Sequence, residues 1–311
     1  MSEGEAIDII IPTYKPDKRL LQLLDSLLAQ TVKVQRILIV NTGKHYWDSL
    51  VQDVAFAEKY PMAEVVHISG GEFDHAGTRQ AAVEKTKSPY FVMMTQDAIP
   101  ADQYLLENLI APLAGAHVAV SYARQLPAQD AGLIEIFTRQ FNYPKESREK
   151  SKKDYGELGI KTFFCSDVCA AYRRDIFEKL GGFAAPAIFN EDMVYAAKAV
   201  ENGYSIFYAA QARVVHSHNY TGMQQFRRNF DLGVSQAQHP EVFEAVSSES
   251  EGMAMIRKTA VWLCRKGRPD LLCRLFWVSG CKYLGYRLGK GYQRLPRKVI
   301  LKCTASPGFW K

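Results

Sequence analysis

Residues 7–43 read IDIIIPTYKPDKRLLQLLDSLLAQTVKVQRILIVNTG. Two short apolar runs, Ile7 to Ile11 and Arg36 to Val40, enclose a stretch in which leucines recur at helical spacing. Apolar runs of this length bounded by turn residues mark buried strands, and the leucine pattern from Lys18 to Gln30 marks a helix with one apolar face. Strand, helix, strand at this spacing is a parallel βαβ unit. The alternation continues outward. Asp48 to Lys59 reads as a helix, Glu64 to Ile68 as a third strand, residues 77–87 as a helix and Tyr90 to Met94 as a fourth strand. The expectation is an α/β fold. Each strand ends in a polar cluster: Pro12-Thr13-Tyr14, Asn41-Thr42-Gly43, Ser69 to His75, and Thr95-Gln96-Asp97. Open α/β sheets bind ligands outside the carboxyl ends of their strands, so these four loops are expected to converge on one site.

Composition narrows the class. A chain of 311 residues with 47% hydrophobic and 23% charged residues is an ordinary globular protein. The six cysteines form no C-x-x-C pair, and the acidic start MSEGEAIDIIIP does not read as a signal peptide. Free thiols in a reducing cytoplasm fit best. No G-x-G-x-x-G follows the first strand and no G-x-x-x-x-G-K-[ST] occurs, so a dinucleotide dehydrogenase or a P-loop enzyme lacks support. No internal repeat is visible. The polar stretch from Gln129 to Gly159 reads as a mobile surface loop ordered by ligand. The net charge of +6 is unevenly placed. From Arg257 onward fourteen Lys/Arg face one acid, Asp270, whereas the preceding chain carries more acid than base.

The ordered series IIIPTYKP, VNTG, GGEFDHAGTRQ, MTQDAIP, CSDVCAAYRRDIFEKLGGF, FNEDMVYAAKAVENGY and VVHSHNYT, over residues 7 to 240, resembles family-2 glycosyltransferases. Within that family it is similar to bacterial rhamnosyltransferases that use dTDP-L-rhamnose. The resemblance implies a GT-A fold, a Rossmann-like nucleotide-sugar-binding mixed sheet flanked by helices. It implies a catalytic domain over 1–245. The chemistry would be inverting transfer of L-rhamnose to a saccharide acceptor in bacterial surface polysaccharide assembly. Such transfer needs a base pocket, neutralisation of a diphosphate leaving group, a positioned acceptor and a general base.

The residues divide among those tasks. Pro12, Thr13 and Tyr14 after strand one and Asn41 after strand two suit a nucleotide base; Asn41 stands where the resemblance usually has Asp, and its amide offers a donor and an acceptor. In GGEFDHAGTRQ, Gly77 and Thr78 open a helix whose N-terminus favours an anion, and Arg79 is expected to pair with a phosphate. Asp74, His75 and Gln96 fall among the nucleotide-sugar contacts that the resemblance implies. The same resemblance usually has Asp-x-Asp where this chain has Thr95-Gln96-Asp97, which leaves one carboxylate for Mg²⁺ or Mn²⁺. By resemblance His216 completes the metal site, while His218 meets the acceptor or a phosphate. Period two on a strand puts the two imidazoles on one face. Glu191 and Asp192 sit in the first turn of a helix, where the dipole favours acids in any case. The resemblance makes Asp192 the general base, and Glu191 and Asp167 acceptor-binding residues. Gln224 to Arg228 resembles a Q-x-x-R-W segment without its usual aromatic pattern.

Residues 246–311 interleave apolar and basic side chains, and Arg274, Lys282 and Arg287 interrupt every run long enough to span a bilayer. Two amphipathic helices on an anionic membrane surface fit this pattern, with Phe276, Trp277, Tyr283 and Leu284 entering the interface. The placement expected is cytoplasmic, peripheral on the inner face of the membrane, suited to a polyprenyl-pyrophosphate-linked acceptor. No nucleic-acid motif accompanies the charge. Homo-oligomerisation through the apolar faces is the bland alternative. Two functional alternatives stay open. One is another donor such as a UDP-hexose. The other is a catalytically silent carbohydrate-binding or scaffold module, for which the missing first Asp at position 95 is the argument.

Overall fold

A computed structural model describes residues 6–244 and 248–310, with the backbone alone for residues 248–251. The strands are β1 (Ile7–Tyr14), β2 (Val34–Thr42), β3 (Ala63–Ile68), β4 (Tyr90–Met94), β5 (Ile99–Pro100), β6 (Val118–Leu126), β7 (Arg148–Lys150), β8 (Cys169–Arg173) and β9 (Ser205–Val215). They form one sheet in the order β3-β2-β1-β4-β8-β6-β9-β5, with β7 also paired to β9. Strands β1 to β4 run parallel, and β8 turns the sheet antiparallel by pairing with both β4 and β6. In register, Thr13 lies opposite Asn41, and Ile10 lies opposite both Leu38 and Met93. The exits of β1, β2 and β4 therefore reach one edge, as the alternating pattern predicts.

The βαβ reading of residues 7–43 has a direct physical basis. Ile7, Ile9 and Ile11 pack with Leu20, Leu23, Leu24 and Leu27 of the helix Lys18–Leu28. Each such side chain contributes about 1.5–3 kcal/mol on burial. Asp17 starts that helix by accepting from the Arg19 amide. Asp8 is buried between the isoleucines, and its Oδ2 accepts from the amides of Lys87 (3.0 Å) and Ser88 (2.9 Å). Those two bonds satisfy the carboxylate and fix the turn into β4.

The chain divides into two compact units. The first takes in the chain up to Gln125, Pro144–Pro186 and Glu191–His216, and carries the sheet. The second takes in Leu126–Tyr143, Ala187–Asn190 and the chain from Ser217 on. Its centre is the helix Gly222–Gln238, started by a reciprocal Thr221–Gln224 capping box, packed on the helix Leu272–Lys290. A Cβ on Gly285 or Gly289 would overlap the carbonyl oxygens of Phe226 and Phe230. Glycine at that four-residue spacing lets the two backbones touch. Phe230, Val234, Ile188, Ile300 and Cys303 fill the small core beside them.

Three local expectations change. Gln129 to Gly159 is not a loop. It holds the helix Leu133–Asn142, β7 and the short helix Tyr155–Leu158. Apolar Leu133, Ile134, Ile136, Phe137 and Phe141 had one partner the polar reading overlooked: Phe137 lies 5.3 Å from Trp262 of the helix Ser248–Arg265. The single helix expected over Asp48 to Lys59 is two short ones, Lys44–Val51 and Phe56–Lys59. Strand β9 ends at Val215, so His216 and His218 lie past it and the period-two argument does not govern their direction.

Candidate active site

The exits of β1, β2 and β4 are tied together by side chains. Thr13 Oγ1 donates to Asn41 Oδ1 (3.0 Å), and Asn41 Nδ2 donates to the Gly43 carbonyl (3.1 Å) and lies 3.1 Å from His67 Nδ1. Asn41 is fully buried, so its amide orders the loops around it. Gln96 exchanges two hydrogen bonds with the Tyr14 backbone, at 3.0 and 3.1 Å. That leaves the Tyr14 ring 56% exposed, edge-on to Tyr46 at 5.6 Å, with Lys15 Nζ 5.2 and 5.3 Å from the two ring centroids. Pro12 is half-buried at the end of this strand. Sequence reasoning missed Tyr46 and Lys15; an aromatic in the first turn after Asn41-Thr42-Gly43 was the available signal.

Asp97 follows β4. His216 Nε2 lies 3.6 Å from Asp97 Oδ1, and Arg19 lies 3.9 Å from Asp97. His216 is 9% exposed, and its Nδ1 lies 3.0 Å from Gln125 Oε1, while Gln125 Nε2 donates to Ser166 Oγ at 3.0 Å. An amide oxygen only accepts, so Nδ1 carries the ring proton and the Nε2 lone pair faces Asp97. One carboxylate oxygen and one imidazole nitrogen at this separation fit two neighbouring positions around a divalent cation, with small closure. The amide behind the ring is the support such a ligand needs. Thr95 Oγ1 is buried with no hydrogen-bond partner among the described residues. His218 follows two residues beyond His216.

Ser166 leads to a buried carboxylate cluster. Arg79 was expected to face a phosphate. Instead its guanidinium lies between Asp167 (3.3 Å) and Glu191 (3.2 Å) and donates to the His75 carbonyl at 3.0 Å. Tyr172 donates to Asp167 Oδ1 at 2.5 Å. Asp192 Oδ2 accepts from the Asp167 amide (3.0 Å) and Oδ1 from the Met193 amide (2.7 Å). His75 Nδ1 lies 3.9 Å from Glu191. Asp74 caps the helix His75–Glu84 by accepting from the Gly77 amide.

Three carboxylates thus share one buried guanidinium. Burial pushes the Asp167 carboxyl up to about 7, with Arg79 opposing and Glu191 adding. Burial pushes Asp192 well above the usual range, and the charges of Glu191 and Asp167 push the same way. Burial acts upward on Glu191 too, but Arg79 and then His75 hold it below the ordinary value. Asp192, the carboxyl less enclosed than the other two, is the one left as a strong proton acceptor. A bonded path runs from His216 through Gln125 and Ser166 to Asp167 and Asp192, so the two corners of the site are mechanically linked. Gln125, Ser166 and Tyr172 were not singled out by the sequence.

The polar, aromatic-walled sheet edge, the Asp97–His216 pair and the buried carboxylate cluster all lie on the sheet-bearing unit, at or beyond strand ends, where α/β folds place their ligand sites. Residues 8–181 match glycosyl transferase family 2, and the chain belongs to that family, with a GT-A fold. It is 36% identical over 306 residues to the O-antigen chain rhamnosyltransferase RfbN of Salmonella typhimurium, covering 98% of this chain and 96% of that one. It is 36% identical over 305 residues to the O-antigen chain rhamnosyltransferase WbaN of Salmonella anatum, covering 97% and 95%. The fold is also that of the mannosyltransferase PcManGT from Pyrobaculum calidifontis, solved with GDP-Man and Mn²⁺ (TM-score 0.56, 14% identity, 98% of this chain and 84% of that one). S. aureus TarS residues 1–349 is a second fold relative (TM-score 0.51, 15% identity, 93% and 91%).

Proposed function

We propose that this chain transfers L-rhamnose from dTDP-L-rhamnose to a saccharide acceptor, with inversion at the anomeric carbon, in assembly of a bacterial surface polysaccharide. The observation that carries the donor sugar is the 36% identity to two O-antigen chain rhamnosyltransferases over nearly the whole chain. The exposed Tyr14 ring stacks the thymine with Tyr46 edge-on beside it, and Thr13, held by Asn41, shapes the pocket. Asp97 and His216 would hold Mg²⁺ or Mn²⁺, which would neutralise charge on the diphosphate. Asp192 takes the proton of the acceptor hydroxyl as that oxygen bonds to C1 of the sugar, and the bond from C1 to the phosphate oxygen breaks to release dTDP. Glu191 and Asp167, charge-balanced by Arg79, keep Asp192 basic and orient the acceptor. His75 and Asp74 border the donor at the helix N-terminus.

No helix among the described residues is long and apolar enough to cross a membrane. The helix Leu272–Lys290 nevertheless exposes Phe276 (56%), Trp277 (69%) and Leu284 (58%) on one face. Residues 246–311 therefore attach the enzyme peripherally to the inner face of the cytoplasmic membrane, close to a lipid-linked acceptor. The test is dTDP release from dTDP-L-rhamnose by the purified protein with a lipid-linked glycan extract, in Mg²⁺, Mn²⁺ or EDTA. Metal-dependent release supports the assignment, whereas release only from UDP-glucose or UDP-galactose overturns the donor.

A further inference from the structure

The second unit contains two adjoining cavities with contrasting walls. One, of about 340 Å³, is lined by Arg268, Arg274 and Lys282 together with Leu133, Leu271 and Val278. The other, of about 480 Å³, is lined mainly by apolar groups, among them Leu232, Met253, Ile256, Tyr283 and Tyr286. Both volumes are in the range of small-molecule sites, about 300–1,000 Å³. Lys282 lines both cavities and marks their junction.

Lys282 is half-buried on the helix Leu272–Lys290 and makes no hydrogen bond or ion pair among the described residues. Arg274, two turns earlier on the same stripe, is likewise without one. Burial lowers the Lys282 pKa; Glu135 opposes this, and Arg139 and Arg228 add to it. Glu135 also lines the first cavity, but its carboxylate accepts from Arg139 Nε at 2.7 Å, so the Lys282 ammonium gains a direct partner only when an anion joins it. Gly285 and Gly289, three and seven residues beyond Lys282 and on the same side of the helix, are buried against the Phe226 and Phe230 carbonyls, so this close backbone contact positions the Lys282 junction.

We propose that the second unit binds an anionic lipid, with its phosphate headgroup at Lys282 and Arg274 and its hydrocarbon chain along Ile256, Leu232 and Tyr283. The chemistry recognised is a phosphate on a hydrocarbon chain. Two sources carry it, a bilayer phospholipid and a prenyl diphosphate carrying the acceptor. The second source deepens the transfer reading given above and rests on it; the site itself does not depend on the sugar transferred.

The test is calorimetric binding to the full chain of farnesyl diphosphate, farnesol and inorganic pyrophosphate, with Lys282→Met and Arg274→Gln variants checked for folding by thermal melt. Farnesyl diphosphate is expected to bind at least about tenfold more tightly than either half, and each variant to lose about that factor. Displacement of farnesyl diphosphate by phosphatidylglycerol vesicles, but not phosphatidylcholine vesicles, identifies the bilayer as a source; no displacement identifies the carrier. Pyrophosphate or farnesol binding as tightly as the diphosphate lipid overturns the inference, as does unchanged affinity in both folded variants. Release of dTDP in the same preparations keeps the two readings apart. Failed transfer with intact lipid binding sinks the rhamnosyl assignment alone.

Discussion

Asp192→Asn removes one of three carboxylates gathered around a single guanidinium, and the structure assigns it opposite effects on rate and on stability. Asp167 and Asp192 both have folded pKa values above the ordinary carboxylate value. The folded protein therefore binds more protons than the unfolded chain between about pH 4 and the raised values. Stability is highest below that window and is lost as pH rises through it. For Asp167, raised from 3.8 to about 7, the loss is about 4 kcal/mol by pH 7. Asp192 contributes with the same sign. Asn at 192 keeps one acceptor for the Asp167 amide and forfeits the other, at about 1 kcal/mol. The expected variant has a flatter decline of melting temperature from pH 5 to 8 and is no less stable than the parent at pH 7. With Asp192 as the base proposed above, turnover is expected to fall about 10²- to 10⁴-fold. In the parent, turnover rises with pH across the neutral range as the cluster ionises, with an apparent pKa that belongs to the cluster. A variant with activity within tenfold of the parent, or with an unchanged pH slope of stability, refutes the reasoning.

Gln125→Leu deprives His216 Nδ1 of its acceptor and is expected to weaken the apparent metal affinity about 10- to 100-fold, read from the Mn²⁺ dependence of dTDP release. Tyr14→Ala removes the exposed ring of the aromatic wall; loss of about 1–3 kcal/mol of stacking should raise KM for the donor with little change in kcat. Lys150 is buried, with Nζ donating to the carbonyls of Lys161 (2.9 Å) and Phe164 (2.6 Å), and burial lowers its pKa to about 7. Its sign is the reverse of the carboxylates: the unfolded chain binds the extra proton, so stability rises from about pH 7 to 10.5, and Lys150→Met should flatten that rise in thermal melts. Gly289→Leu places a side chain against the Phe230 carbonyl and should cost at least about 1–3 kcal/mol, read from denaturant unfolding.

The parts of this molecule legible in the sequence are those built by local pattern. The isoleucine run of β1, the leucines of Lys18–Leu28 and the apolar run of β2 each satisfy one period, and their register brings Thr13 beside Asn41 without help from distant residues. The sequence also placed polar residues at the strand exits. It did not reveal what those residues bond to. Arg79 reads as a phosphate ligand at a helix start, but Asp167 and Glu191 arrive from 88 and 112 residues further along the chain and enclose it. Gln125 and Ser166 carry no motif; their meaning lies in bridging His216 to the loop of Asp167.

The helix Leu272–Lys290 shows the same limit from another side. The sequence puts Phe276, Trp277, Tyr283 and Leu284 on an outward face but does not show what the helix buries instead. The close approach at Gly285 and Gly289 turns the small residues inward, so Phe276, Trp277 and Leu284 face out. A backbone-to-backbone contact leaves no apolar period in the sequence, because glycine supplies none. The exposed aromatic face is thus a consequence of the glycine-packed interior face. That is why the Gly289→Leu variant is informative beyond its stability cost. Pushing the helices apart should disturb the Lys282 junction as well, since Lys282 lies two turns from Gly289 on the same helix. Loss of farnesyl diphosphate binding in a variant that remains folded, with dTDP release from donor retained, would tie the lipid site to the packing of this helix rather than to the catalytic unit.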